Sequence, residues 1–168
     1  LLRRAVEERA FTLHYQPMVR LRDRRVTAVE ALVRLAPSAY DGQASPLGPN
    51  QFIPVMEDTG MIEALSEWVM EEACRQGRAW LDQGLDFGRM SINLSPAEIR
   101  RGRVVERLTA ILERTGLPPD RLEIEITESG LMESGAGVEQ FLQNLHALGV
   151  NLSIDDFGTG YSSLAYLK

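Results

Sequence analysis

The sequence predicts an α/β fold built on a largely parallel sheet. Three observations predict it. Short runs with apolar residues at every second position recur along the chain, longer runs with helical periodicity separate them, and the chain opens on two strand-like runs joined by a charged turn. Strands alternating with helices of this length form βαβ units.

In order, residues 2–10 read as a short charged helix. Phe11 to Val19 alternates through Phe11, Leu13 and Tyr15 and predicts a strand. Arg20 to Arg25 is a turn without glycine, and Val26 to Leu35 is the second strand, so the two form a hairpin. Three prolines and two glycines between Ala36 and Asn50 predict a loop. Gln51 to Asp58 is a short helix. Met61 to Gln83 is a long one, with a stripe of Ile62, Leu65, Val69, Ala73, Gln76 and Trp80 that Gly84 closes. Arg89 to Leu94 is a strand. Ser95-Pro96 starts a helix, with serine as cap and proline at the first position, and the spacing carries it to about Arg114. Its inward residues are Val104, Val105, Leu108, Ile111 and Leu112. Gly116 and Pro118-Pro119 end it. Arg121 to Thr127 is a strand, Gly137 to Leu148 a helix capped by Gly149, and Val150 to Asp155 the last strand. Ser162 to Lys168 begins a further helix.

The 168 residues are 44% hydrophobic and 25% charged, which suits one soluble globular domain. A net charge of −6 argues against a nucleic-acid polymer or an anionic membrane as partner. No apolar run reaches the roughly 18 residues of a membrane span. Leu1-Leu2-Arg3-Arg4 lacks the apolar core of a signal peptide. One cysteine, Cys74, permits no internal disulfide. His14 and His146 have no zinc-site spacing and read as structural or exposed.

Chemistry concentrates at strand ends. Glu30 lies in the second strand, Asn93 ends the third, Glu125 and Glu128 end the fourth, and Asp155-Asp156 close the fifth before Phe157-Gly158-Thr159-Gly160. In a parallel α/β barrel the carboxyl ends of the strands share one face, where acids at successive ends converge. Adjacent acids can serve two divalent ions, and oxygen-only ligands suit Mg²⁺ or Mn²⁺. Taken singly, Glu30 reads equally as an edge or satisfied core acid, Asn93-Leu94-Ser95-Pro96 as a helix start, and Glu123, Glu125 and Glu128 as a solvated face. If Glu123 and Glu125 point into a barrel, their uncompensated charge favours a cation. Asp156-Phe157-Gly158 is also a kinase triplet, but no glycine-rich loop or histidine-arginine-aspartate loop precedes it. No phosphate-binding Gly-Lys-Ser/Thr loop and no Ser-His or Cys-His pairing stands out.

Six motifs in order resemble the EAL-domain family of bacterial cyclic di-GMP phosphodiesterases. They are Tyr15-Gln16-Pro17, Glu30-Ala31-Leu32-Val33-Arg34, Phe52-Ile53-Pro54, Asn93-Leu94-Ser95, Glu125-Ile126-Thr127-Glu128 and Asp155 through Leu164, and together they cover essentially the whole chain. The resemblance implies a modified TIM (β/α)8 barrel with an antiparallel first strand, in agreement with the hairpin. It implies hydrolysis of cyclic di-GMP to linear pGpG at two Mg²⁺ or Mn²⁺ ions. Glu30, Asn93, Glu125 and Asp155 would hold one ion; Asp155 would bridge to the second, which Asp156 also binds. Glu128 would steady the loop from Phe157 to Ser163, and Gln16, Leu32 and Arg34 would contact substrate. Leu35 replaces the family's usual tryptophan, the loop at 36–50 is longer than usual, and Met18 and Pro96 are mild variants.

The family continues with a lysine, a glutamate and a glutamine on later strands, none of which follows Lys168 here. Barrels of this fold need about 200–250 residues. The expectation is a single EAL-type domain over residues 1–168, truncated on its C-terminal side to about five of eight strands, inactive alone or completed by a partner or second copy. The resemblance also implies a cytoplasmic location, possible homodimers and further regulatory domains in the parent protein, with a membrane sensor as one possible tether. The other reading is a catalytically inactive module that binds cyclic di-GMP or serves assembly.

Overall fold

The computed structural model describes residues 1–40, 47–133 and 135–155. Five strands form one sheet in sequence order: β1 (Phe11–Val19), β2 (Val26–Leu35), β3 (Arg89–Asn93), β4 (Leu122–Thr127) and β5 (Asn151–Asp155). β1 and β2 pair antiparallel, with Phe11 opposite Leu35 and Gln16 opposite Glu30. From β2 onward every pairing is parallel. The hairpin turn needs no glycine. Arg24 takes the left-handed conformation at φ 57°, and the Asp23 carboxylate accepts from the Arg20 guanidinium at 2.6 and 2.9 Å and from the Arg25 amide at 3.3 Å. An aspartate that bonds its own turn substitutes for backbone freedom.

The helices are α1 (Leu2–Glu7), α2 (Pro49–Asp58), α3 (Ile62–Asp82), α4 (Pro96–Arg101), α5 (Val104–Thr115), α6 (Glu128–Glu133) and α7 (Val138–Leu148). They cover the apolar face of the sheet. Val29, Ala31, Met90, Ile92, Leu122, Ile124 and Ile126 alternate onto that face and are almost wholly buried. At the β1 edge, Phe11 packs on Phe52 and Trp68 with ring centroids 6.4 and 5.7 Å apart, and Trp80 bridges Tyr15 and Phe87 at 4.9 and 5.5 Å. None of the described helices is long and apolar enough to cross a membrane. Cys74 is buried in α3, and His14 and His146 are exposed.

Four differences from the sequence reading have physical causes. The stripe of α3 runs through Gly77 instead of Gln76, because the helix crosses so close to Leu117 and Phe87 that a β-carbon at 77 would lie 3.2 Å from each. The helix expected from Pro96 to about Arg114 is two, α4 and α5. Gly102 breaks it with φ 74°, and its amide closes the turn on the Ile99 carbonyl. Residues 128–133, read as a connection, form α6, whose entry is fixed by the Gly130 amide donating to Thr127 Oγ1 at 3.1 Å. The expected loop at 36–50 contains a 3₁₀ turn at Pro37–Tyr40, and α2 begins early at Pro49. The helix expected from Ser162 lies outside the described residues.

Gly88 sets how closely β3 enters beside β2. Its φ is +75°, and a β-carbon there would stand 2.0 Å from the Thr27 carbonyl oxygen. Replacing Gly88 with alanine is expected to lower stability by about 3 kcal/mol in urea unfolding, because a backbone atom must move. At Gly102, where no atom lies within 4 Å of the β-carbon position, alanine pays only the left-handed strain, about 1 kcal/mol.

Candidate functional site

The face of the sheet turned away from the helices is polar. Parallel register places Glu30 beside Ser91 and Ser91 beside Glu123, then Asn93 beside Glu125, Glu125 beside Ser153, and Thr127 beside Asp155. Because side chains alternate, the strands that bury isoleucine and leucine under helices must turn these residues to the opposite side. Asn93, Glu125 and Asp155, near the carboxyl ends of β3, β4 and β5, thus come together with Glu30 from the middle of β2. Gln16, opposite Glu30 on β1, stands on the same face and is exposed.

Charge on this face is handled in two ways. The expectation that Glu123 needs a cation is met by the protein itself: the Arg89 guanidinium lies 3.0 Å from its Oε2, and Arg89 also reaches Asn151 Oδ1 at 3.5 Å. Asn151 in turn donates to the carbonyls of Asp120 and Leu122 at 3.0 and 3.2 Å, tying the floor of β3, β4 and β5 together. At the strand ends carboxylates crowd instead. Burial pushes the Glu125 carboxyl up, the neighbouring Ser91 hydroxyl holds it back, and the charges of Glu30, Asp155 and Glu123 push it further up.

Asn93 Nδ2 donates to Glu30 Oε1 at 2.7 Å. The Asn93 amide oxygen and the second Glu30 oxygen are then the atoms that would face a cation. Three carboxylates and an amide oxygen are hard donors, and their mutual repulsion at Glu125 is what a divalent ion would relieve, so the residues fit such an ion. Among the described residues, no three His, Cys, Asp or Glu side chains already close on one point. Asp156 and the loop from Phe157 to Ser163 lie outside the described residues.

A cavity of about 880 Å³ runs over the strand ends, bounded by Leu32, Arg34, Asn93 and Glu125 on the sheet side and by Ile53, Glu57, Leu65, Ser66 and Glu98 on the helical side. Arg34 Nη1 donates to the Val33 carbonyl at 2.8 Å. Leu32 and Arg34 therefore line the same cavity as Asn93 and Glu125. Glu128 is half-buried as the first residue of α6.

Ser95 caps the helix after Asn93 as the sequence suggests, but its reciprocal partner Glu98 was passed over. Ser95 and Glu98 form a capping box: the Ala97 amide donates to Ser95 Oγ at 3.2 Å, and the Ser95 amide donates to Glu98 Oε2 at 3.2 Å. The Ser-x-x-Glu spacing is the signal that could have found it. Glu98 is 1% exposed, its Oε1 3.6 Å from Arg107 Nη2. Burial pushes its carboxyl up to about 7, against the pull of Ser66, the Ser95 amide and Arg107.

Comparison with known proteins follows the same lines. The family description that matches is EAL domain, over residues 1–168. The signaling protein YkoW of Bacillus subtilis is 42% identical over 168 residues, which is 100% of this chain and 20% of YkoW. The bifunctional diguanylate cyclase/cyclic di-GMP phosphodiesterase MucR of Pseudomonas aeruginosa is 43% identical over 167 residues, 99% of this chain and 24% of MucR. The chain thus spans a fifth to a quarter of the length of these two curated relatives. The solved structure of the MucR phosphodiesterase in complex with c-di-GMP superposes with a TM-score of 0.89 at 43% identity, covering 99% of this chain and 66% of that one. The five-stranded sheet with its antiparallel β1–β2 pair is accordingly part of a barrel wall.

A carboxyl held near 7 in the fold and near its ordinary value when unfolded stabilises the fold in its protonated form. That contribution is complete below the ordinary carboxylate range and is lost as pH rises through 7. Urea unfolding at pH 5 and pH 8 is expected to show a loss on the order of 2 kcal/mol from this group, and Glu98→Gln is expected to flatten the slope.

Proposed function

The chain belongs to the EAL domain family, and we propose from that premise that its protein hydrolyses cyclic di-GMP to linear pGpG with divalent metal ions. The observation that carries the reading is the set of oxygen donors at the ends of β3, β4 and β5 and in the middle of β2, on one face of the parallel sheet beside a cavity of about 880 Å³. Relatives and neighbours support the substrate: MucR is named a cyclic di-GMP phosphodiesterase, and its solved structure holds c-di-GMP.

In this reading Glu30, Asn93, Glu125 and Asp155 would hold one Mg²⁺ or Mn²⁺, and Asp155 and Asp156 would serve the second. When bound, the two ions supply an acidified water and neutralise charge on the phosphoryl oxygens. Asn93 coordinates through its amide oxygen and keeps Glu30 in place through its nitrogen. Arg34 leaves the Val33 carbonyl to meet a phosphate, adding a fixed positive charge where negative charge grows. Leu32 and Gln16 flank the nucleotide, and Glu128 steadies the segment that follows Asp156.

The test is hydrolysis of cyclic di-GMP by the intact protein with Mn²⁺, following linear pGpG by chromatography with a chelator control. Product is expected only with metal, and Glu30→Ala or Asp155→Ala is expected to cut turnover by roughly 10³-fold or more. Retained turnover in both variants would overturn the assignment. Tight binding without turnover would instead identify a receptor of the same nucleotide.

A further inference from the structure

Ser95 uses both of its donors on carboxylates from two helices. Its amide donates to Glu98 Oε2 within α4, and its hydroxyl donates to Glu57 Oε1 of α2 at 2.5 Å. Its oxygen accepts from the Ala97 amide, and because a carboxylate has no proton to give, the hydroxyl donates its single proton to Glu57. Just before it, the Leu94 amide donates to the Glu125 carbonyl at 2.9 Å. The turn that carries Asn93 is thus held by β4, by its own helix and by α2. Of the three, only the Glu57 bond joins it to the helix that walls the far side of the cavity.

We infer that Glu57 is a positioning residue: by accepting the Ser95 hydroxyl it fixes the Asn93 turn against α2 and so sets the donor geometry at the end of β3. The importance of that geometry to metal binding rests on the function proposed above; the mechanical tie does not. Glu57 is half-buried and close to the cavity, whereas a solvated helix acid has no need of a partner at 2.5 Å on an element 38 residues away. Short charge-assisted bonds of this kind orient the groups they hold. Outer partners of a metal ligand typically alter metal affinity by about 10- to 100-fold.

Four variants separate the tie from helix capping. Glu57→Gln keeps an acceptor and Ser95→Thr keeps both hydroxyl bonds. Glu57→Ala removes the acceptor. Ser95→Asp still caps α4 but sets a carboxylate against Glu57. The readouts are amide hydrogen exchange at Leu94 and Ser95 and the affinity of the chain for Mn²⁺ alone, with thermal unfolding as the fold control. Exchange at both amides is expected to quicken about 10-fold in Glu57→Ala and Ser95→Asp, with Mn²⁺ affinity falling about 10-fold or more, while Glu57→Gln and Ser95→Thr match the parent. Unchanged exchange in Glu57→Ala overturns the inference, as does equal loss in Glu57→Gln. If exchange changes as expected but the parent chain takes up no Mn²⁺, the positioning role stands and the metal reading fails.

Discussion

The parallel register of β2 through β5 is the constraint on which the rest depends. It aligns four strands so that every second residue meets helix and the alternate residues meet each other. One face becomes nearly pure Val, Ile, Leu and Met. The other collects Glu30, Ser91, Asn93, Glu123, Glu125, Ser153 and Asp155. Shifting one strand by a single residue would place a carboxylate in the core and an isoleucine in the site. The apolar burial that stabilises the sheet therefore also enforces the site, bringing three acids and an amide into proximity.

Crowding those acids carries its own penalty, and the molecule distributes it unevenly. Near the start of the strands, where no chemistry is expected, Arg89 neutralises Glu123 and Asn151 completes the network. Near the strand ends the charges of Glu30, Asp155 and Glu123 push the Glu125 carboxyl up, and the Asn93 amide donates to one oxygen of Glu30. A guanidinium there would satisfy the carboxylates permanently. An amide holds one oxygen and leaves the others to whatever enters.

Much of this arrangement was legible in the sequence. Both strands of the hairpin have the limits that their alternation suggested, since period two is a strong signal when one face is buried. Asn93, Glu125 and Asp155 stood out because they sit where apolar runs end, whereas Glu30 lies inside one. The break at Gly102 was not, because the apolar spacing continues through Val104, Leu108 and Ile111 as though the helix did, and a single glycine leaves such a pattern intact. Residues 128–133 show no apolar period. Their helix depends on Thr127 and on Gly130 lying against Pro96, whose ring leaves no room for a side chain there. The Arg89–Glu123 pair and the Glu57–Ser95 bond join residues far apart in the chain, and only knowledge of strand register and helix docking reveals them.

The order of the strands in the sheet is their order along the chain, from β1 to β5. Each strand therefore finds its partner already synthesised and adjacent. A nascent chain leaving the ribosome can lay down this wall one βα unit at a time, and no early strand has to wait with both edges bare for a distant segment. Each pairing joins strands consecutive in the chain, and because closure entropy grows only slowly with length even the long β2–β3 segment adds little. The growing edge is always the latest strand, and of the earlier strands only β1 keeps an outer edge open while the wall is laid down.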